Sequence, residues 1–285
     1  ATFLQNPNQF ILFSDRELRE MAAEPIKPYW DPALRYDLVA RRRFLECLDK
    51  VGLLAWRREV RANAGCFFVP KKSGDIRLVV DCRQANQLHR VPPHSDLAHP
   101  GALGNLLLSD EWLQFCAREA DAAGSLPAVA SLPAVEIAGA GIDLTDGYYQ
   151  FLLPQLSSFF GLGIELSAAE AGVSEIYDEA TASMRSVRPD EMLHACFGGL
   201  PMGWSWALHL CHSALARCLE GAQRDVGMPC AVASDMAPPP RLRPGDALGA
   251  PYVDNGNVIG TTPAAAGQLL EALVGRLEAT GFVVR

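Results

Sequence analysis

The sequence predicts an α+β fold, on three observations. Short apolar runs fall in adjacent pairs around turn residues, at 66–70 with 76–81 and again at 250–254 with 257–259, which marks antiparallel hairpins. Two long stretches, one after Gly203 and one from Pro263 to Thr280, carry apolar residues at helical spacing. The two kinds of element mix without the regular alternation of a doubly wound parallel sheet. With 49% hydrophobic and 20% charged residues over 285 positions, the composition is that of a globular chain of one or two lobes, and disorder throughout is excluded.

The elements can be justified in order. Ser14 with Glu17 three residues later is a capping-box signature. Asp31-Pro32 starts a stronger helix, whose Leu34, Leu38, Leu45 and Leu48 keep one stripe until Gly52. Cys66 to Pro70 and Ile76 to Asp81 form a hairpin with the basic tip Lys71-Lys72-Ser73-Gly74-Asp75. Residues 104–122 read as a helix, and the repeat of Ser-Leu-Pro-Ala-Val at 125–129 and 131–135 reads as a surface insertion. Strands are expected at 138–144, 149–153 and 159–166, with 167–193 polar and irregular. The helix after Gly203 places Trp206, Leu210, Ala214 and Leu219 at core spacing and ends near Gly221. A Pro-rich loop spans 236–250, then a tight hairpin turns at Asn255-Gly256 before the last helix.

Charge is polarised along the chain. The net charge of -8 argues at first sight against a polyanionic partner. Residues 1–100, however, hold 16 basic and 12 acidic side chains, which leaves 9 and 21 for the rest. Residues 41–90 alone carry 12 basic and 5 acidic side chains, so a basic surface joined to an acidic body is expected. A solvated helix face accounts for Arg41, Arg42 and Arg43, but less well for Lys71, Lys72, Arg77 and Arg83. The eight cysteines form no C-x-x-C pair, so reduced thiols in an intracellular protein are expected, with neither a zinc site nor a disulfide framework. There is no apolar run of about 18 residues and no leader pattern, so no membrane span is expected.

Two acidic positions stand out. Asp143, in Gly-Ile-Asp-Leu-Thr-Asp-Gly-Tyr-Tyr-Gln, and Asp254, in Pro-Tyr-Val-Asp-Asn-Gly, each place a carboxylate at a strand end. Such an Asp in an apolar strand is costly unless paired or metal-bound. Two of them on adjacent strands would repel, and Mg²⁺ relieves that repulsion because it takes oxygen ligands from carboxylates and phosphates. A turn Asp beside a hairpin is the plain alternative for Asp254 taken alone.

Order and company sharpen the signal. The chain reads Phe-Phe-Val-Pro-Lys-Lys-Ser-Gly-Asp-Ile-Arg-Leu-Val-Val-Asp-Cys-Arg-Gln-Ala-Asn at 67–86, then Asp143-Leu-Thr-Asp-Gly-Tyr-Tyr-Gln, then Phe197-Gly-Gly-Leu-Pro-Met-Gly-Trp-Ser, then Tyr252-Val-Asp-Asn. Over residues 60–285 this resembles the reverse transcriptases of retroelements, whose fingers hairpin and palm motifs these four blocks match in order. The resemblance implies a right-hand polymerase fold lacking a thumb. Residues 1–60 would form a helical extension supporting the fingers, 61–135 the fingers with the insertion, and 136–285 the palm. The chain begins at Ala1 and stops after a strand-like run, so a fragment is expected.

Carried over by position, the resemblance implies that Asp143, Asp254 and Asn255 are catalytic, and that Asp143, Leu144 and Asp254 hold Mg²⁺ or Mn²⁺. Lys72, with Lys71 as a substitute, and Arg77 would grip the triphosphate of an incoming deoxynucleotide, a task that suits a point-charge Lys and a forked Arg. Asp146, Gly147 and Tyr148 would floor the nucleotide, with Tyr148 as the gate against a ribose 2′-hydroxyl, while Tyr149 packs. Met202 and Gly203 would open the helix that follows, Gly203 allowing close backbone approach. The implied partners are an RNA or DNA template-primer and deoxynucleoside triphosphates, and the implied reaction is in-line attack of a primer 3′-hydroxyl on the α-phosphate, assisted by two metal ions.

Four departures bear on activity. Asn255 stands where the family has a second Asp, keeping a carbonyl but losing a charge. The blocks are widely spaced, with 57, 59 and 52 residues separating Asn86, Asp143, Met202 and Asp254. No lysine follows position 72, and Met202 replaces a frequent glutamine. A decayed retroelement product that binds nucleic acid without polymerising is therefore the second reading, and a protein-binding α+β domain with accidental matches is the third. The Asn255-Gly256 pair is also a sequence prone to deamidation, which would return a carboxylate to that position.

Overall fold

A computed structural model describes residues 2–21, 24, 26–72, 74–98, 100–104, 107–108, 137–234 and 241–285. Its helices are α1 (Thr2–Gln5), α2 (Pro7–Phe10), α3 (Asp15–Met21), α4 (Pro32–Arg35), α5 (Leu38–Lys50), α6 (Arg83–Leu88), α7 (Pro100–Gly104), α8 (Ala168–Ala171), α9 (Ala207–Asp225) and α10 (Pro263–Ala279). Its strands are β1 (Leu54–Arg57), β2 (Gly65–Pro70), β3 (Ile76–Asp81), β4 (Leu107–Leu108), β5 (Ala138–Asp143), β6 (Gly161–Ser167), β7 (Glu175–Asp178), β8 (Ser183–Ser186), β9 (Met192–Phe197), β10 (Arg241–Leu242), β11 (Ala247–Tyr252) and β12 (Asn255–Gly260). The expected mixture of helix with largely antiparallel sheet is what forms. The chain divides into two units, Ala1–Pro93 with Tyr148–Ala207 and His94–Gly147 with Leu208–Arg285.

In the first unit, local signals set the helices. Ser14 and Glu17 close the expected capping box on α3, the Ser14 N–H donating to Glu17 Oε2 at 2.8 Å and the Glu17 N–H to Ser14 Oγ at 3.3 Å. The single helix expected from Asp31 to Gly52 is two. Asp31 caps α4 and Asp37 caps α5, the latter accepting from the N–H groups of Val39 and Ala40. The second cap interrupts the stripe, so Leu45 and Leu48 are buried while Leu38 is 63% exposed.

The core of this unit is the antiparallel sheet β1–β9–β6, with Trp56 opposite Ala195 and Leu54 opposite Phe197. Phe160, Leu162, Leu193, Phe197, Leu200 and Trp206 are almost fully buried, each contributing on the order of 1.5–3 kcal/mol of transfer free energy. β2 and β3 form the expected hairpin, with Val69 opposite Arg77. Residues 167–193, expected to be irregular, contain α8, capped reciprocally by Ser167 and Glu170, and the β7–β8 hairpin. Only Ile176 is buried in that hairpin, so its strands lack the apolar alternation that marks a strand in sequence.

The second unit is built on the antiparallel sheet β11–β12–β5. Helix α10, capped by Thr262, sets Leu269, Leu273 and Leu277 in a row at four-residue intervals. They pack with Leu215 and Leu219 of α9 and Val258 of β12 in one core cluster. The last helix therefore forms as its sequence implies. The helix expected over 104–122 falls mostly outside the described residues, as do the Ser-Leu-Pro-Ala-Val repeat and part of the Pro-rich loop at 235–240. Among the described residues, no helix is long and apolar enough to cross a membrane.

Candidate functional site

The second unit brings the two predicted carboxylates to one end of its sheet. Asp143 ends β5 directly opposite Asn255, the first residue of β12. Opposed residues of an antiparallel pair project to the same face. Along β5, Ala138, Ala140 and Ile142 pack on the helix-covered core, while the alternate positions Gly139, Gly141 and Asp143 are exposed. Asp143 thus avoids the burial cost that the sequence pattern suggested: it is the one side chain on an otherwise glycine-lined row.

The β11–β12 hairpin turns earlier than expected. Tyr252 pairs with Asn255, so Val253 and Asp254 form the two-residue loop and the Asn255-Gly256 pair lies inside β12. Val253 takes a φ of 58°. For a β-branched residue that left-handed conformation costs on the order of 1–3 kcal/mol and persists only where the surroundings enforce it. One enforcing contact is visible: the buried Cys211 thiol of α9 donates to the Val253 carbonyl at 3.7 Å. Burial, assisted by the charge of Asp254, pushes that thiol up to about 12, which keeps its proton available for donation.

Asp254 is fixed from several sides. The Asn255 side-chain N–H donates to Asp254 Oδ1 at 3.1 Å, and the Leu144 N–H donates to the Asp254 carbonyl at 3.0 Å. A Cβ placed on Gly147 would come within 2.8 Å of the Asp254 Cβ and 3.1 Å of the Leu144 Cβ, so only glycine lets these segments approach as they do. The Gly147 N–H donates to the Leu144 carbonyl at 3.1 Å, closing a turn in which Asp146 has a φ of 47°. Backbone bonds in both directions between Asp143 and Arg285, at 3.1 and 2.8 Å, brace the end of β5. Asp143 and Asp254 bring carboxylates to this end of the sheet and Asn255 its side-chain amide, while the Leu144 carbonyl accepts the Gly147 N–H. Among the described residues, no three His, Cys, Asp or Glu side chains form a metal-holding group.

The remaining predicted residues lie in the first unit. Lys71, Lys72 and Arg77 share the β2–β3 hairpin, Lys72 and Arg77 being exposed and Lys71 half-buried. The Lys71 N–H donates to the Asp75 carbonyl at 2.7 Å, which closes the tip. Where a strand was expected over 149–153, residues Gly147–Gln150 instead form a 3₁₀ turn. The turn leaves Tyr148 half-buried and aims the Tyr149 hydroxyl at the Leu78 carbonyl of β3, to which it donates at 2.5 Å. Tyr149 also meets Phe197 edge to face, so it is the packing aromatic of the pair, as expected.

Met202 and Gly203 dock on β3. The Val80 N–H donates to the Met202 carbonyl at 2.9 Å. Gly203, with a φ of 128°, sits so close that a Cβ would lie 2.1 Å from the Val80 carbonyl oxygen. The loop is clipped further by Asn86 of α6, whose side chain donates to the Gly203 carbonyl at 3.1 Å and accepts from the Ser205 N–H at 2.9 Å. Asn86 is a residue to which the sequence reading assigned no role. Its signal was present only as the last letter of the 67–86 block, because a clip between residues 117 apart has no local pattern.

Two basic residues have more specific settings than a solvated face. Arg83 makes a forked ion pair with the buried Asp81, at 2.8 and 2.6 Å. Burial raises the Asp81 carboxyl, but the hydrogen bonds from Arg83 and from the Tyr29 N–H outweigh it and hold the group below its ordinary value. Arg41 is half-buried and stacks over the Trp30 ring at 4.1 Å.

No family model matches the chain, and no curated protein matches it. Among solved structures it is similar to a foamy viral protease-reverse transcriptase in complex with double-stranded DNA, at 15% identity and a TM-score of 0.45, over 91% of this chain and 32% of that one. It is also similar to the native Prototype Foamy Virus protease-reverse transcriptase, at 15% identity and a TM-score of 0.44, over 92% of this chain and 24% of that one. The chain thus spans a third or less of the length of the structures it matches.

Proposed function

We propose that this chain performs nucleotidyl transfer of the reverse-transcriptase kind, extending a primer on an RNA or DNA template with deoxynucleoside triphosphates. One observation carries the proposal: Asp143, Asp254 and Asn255, drawn from blocks more than a hundred residues apart, meet at one end of one sheet. The donor set there is all oxygen, two carboxylates with an amide and a backbone carbonyl, and this fits a hard divalent cation such as Mg²⁺. Asp143, Asp254 and the Leu144 carbonyl would hold it. When bound, such an ion supplies charge neutralisation and Lewis acidity for phosphoryl transfer.

The other roles belong to the chain's own groups. Lys72 and Arg77, with Lys71 beside them, bind and orient the triphosphate. Tyr148 screens the 2′-position, and Asp146 with Gly147 floors the nucleotide. The Met202-Gly203 loop, held by Val80 of β3 and Asn86 of α6, presents backbone to the substrate. In the reaction the primer 3′-oxygen bonds to the α-phosphorus and pyrophosphate leaves. Positioning and charge balance account for most of the acceleration in such transfers.

Primer extension on an RNA template with Mg²⁺ or Mn²⁺ tests the proposal. Incorporation that Asp143→Ala abolishes is the expected result. No incorporation by the chain or by Asn255→Asp would sink it. A second reading, a retroelement product that binds nucleic acid without polymerising, is favoured by the engagement of the Asn255 amide on Asp254, a position where a further carboxylate would serve catalysis. Salt-sensitive template binding without incorporation would select that reading.

A further inference from the structure

A cleft of about 510 Å³ opens in the first unit, lined by Lys27, Trp30, Arg35, Tyr36, Arg41 and Asn63 among others. Its chemistry is unlike that of a chain whose net charge is -8. Among the described residues, three cations line it and no carboxylate does. None of the three makes an ion pair with a described residue. Asp31 and Asp37, the acids flanking Arg35 in sequence, each accept backbone N–H groups at helix starts.

The cations are paired with rings instead. Arg41 lies over Trp30 at 4.1 Å, its Nε donating to the Leu34 carbonyl at 3.1 Å, and Arg35 lies 5.1 Å over Tyr36. Tyr36 is 77% exposed. Burial lowers the pKa of the Arg41 guanidinium, opposed in part by the neighbouring Cys66. Flat π-faces and guanidinium planes beside uncompensated positive charge are what an unpaired nucleic-acid strand requires, bases stacking on the rings and phosphates meeting the cations. A duplex hides its base faces and would use only the charges. A carboxylate-rich peptide would use them too, but has no bases to stack.

We infer that this cleft binds single-stranded nucleic acid, through stacking on Trp30 and Tyr36 and phosphate contacts from Lys27, Arg35 and Arg41. The site gives a task to the first 60 residues, to which no motif assigns one. It does not rest on the nucleotidyl-transfer reading and would operate whether or not the chain polymerises.

The test is fluorescence anisotropy of fluorescein-labelled dT and U dodecamers with the whole chain carrying Lys72→Gln and Arg77→Gln, so that the hairpin contributes little. The logarithm of affinity should fall against the logarithm of salt with a slope of about -2, as for three phosphate contacts on a single strand. Lys27→Gln with Arg35→Gln should flatten that slope, Trp30→Ala should weaken binding roughly tenfold, and Trp30→Phe should largely preserve it. Should Trp30→Ala fail to fold, the exposed Lys27→Gln/Arg35→Gln pair decides alone. Unchanged affinity and slope in that pair overturn the inference. So does equal loss, on Trp30→Ala, of binding to polyvinyl sulfonate, a polyanion without bases. Absence of primer extension would leave all these results standing and would count only against the catalytic proposal.

Discussion

Asn255 faces Asp143 across the β12–β5 ladder while its side-chain amide donates to Asp254 Oδ1 at 3.1 Å. One uncharged residue therefore separates two carboxylates that would otherwise share a sheet end with a third. Asn255→Asp removes the donated hydrogen bond and puts like charges directly opposite each other. Without divalent cations the variant should lose on the order of 0.2–1 kcal/mol of stability. With Mg²⁺ it should gain more in melting temperature than the parent does, because a ligand that binds only the folded state stabilises it by mass action. Thermal denaturation with and without Mg²⁺ measures both. An equal Mg²⁺ response in the two proteins would count against these oxygens as a cation site.

Gly147 is the second contact that defines this corner. One of its Cα hydrogens points where a Cβ would meet Asp254 and Leu144 at 2.8 and 3.1 Å, all three belonging to one unit. Gly147→Ala should destabilise the protein by about 1–3 kcal/mol, the usual range for overpacking a close contact. Urea denaturation checks this. If activity is found, its loss in this variant should exceed the loss in stability, since the displaced group is Asp254 itself.

Asn86 offers a milder test of the Met202-Gly203 loop. Its amide satisfies the Gly203 carbonyl and the Ser205 N–H. Asn86→Ala should cost about 1–2 kcal/mol, one net hydrogen bond or two. Asn86→Asp keeps the acceptor for the Ser205 N–H but removes the donor, so it should fall between the two in chemical denaturation.

How much of this was legible in the sequence depends on the range of the interactions. The Ser14-Glu17 box, the β2–β3 hairpin and the α10 stripe were readable because each is encoded within a few residues. The turn at Val253-Asp254 was misplaced by two residues, because Asn-Gly is the better local turn and the ladder to β5, not local preference, sets the register. Residues 149–153 read as strand because Tyr and Phe favour pleated packing, whereas the close approach of Gly147 to Asp254 bends the chain into a 3₁₀ turn over Gly147–Gln150. Asp143, Asp254, Lys72, Arg77 and Gly203 could be named as candidates from their blocks. The arginine stack on Trp30 could not, since three consecutive arginines look alike until one of them is half-buried against a ring.

The β7–β8 hairpin should depend on the buried Arg57–Glu179 ion pair more than on the more exposed Arg58–Asp178 pair. Arg57, 6% exposed, donates to Glu179 at 3.3 Å and also to the carbonyls of Trp56 and Pro154 and to Ser157 Oγ. Glu179 in turn accepts from the N–H and hydroxyl of Ser158, at 2.9 and 2.6 Å. Glu179→Gln leaves a buried guanidinium without its counter-charge, although its other acceptors remain. A loss of about 2–3 kcal/mol is expected, below the full effect of stripping a buried ion of every partner. Limited proteolysis should then cut first within residues 175–186.

His89 makes stability depend on pH in a defined direction. The imidazole is buried, 3% exposed, and its Nδ1 accepts from the Trp204 indole N–H at 3.0 Å. Burial, assisted by the charge of Arg61 and opposed by the Ala85 carbonyl, lowers its pKa to about 3. A histidine depressed in the folded state binds its proton more readily when unfolded, so its contribution is complete above the ordinary value near 6.5 and is lost as pH falls from there toward about 3. Within that window stability should decline by about 1.4 kcal/mol per pH unit from this group. Burial shifts His209 and His212 in the same direction, so the comparison must isolate His89. His89→Gln keeps an acceptor for Trp204 and cannot titrate. The difference in unfolding free energy between parent and variant, measured from pH 7.5 to pH 4.5, should shift in favour of the variant as pH falls. A constant difference over that range would show that His89 is not held neutral by its surroundings.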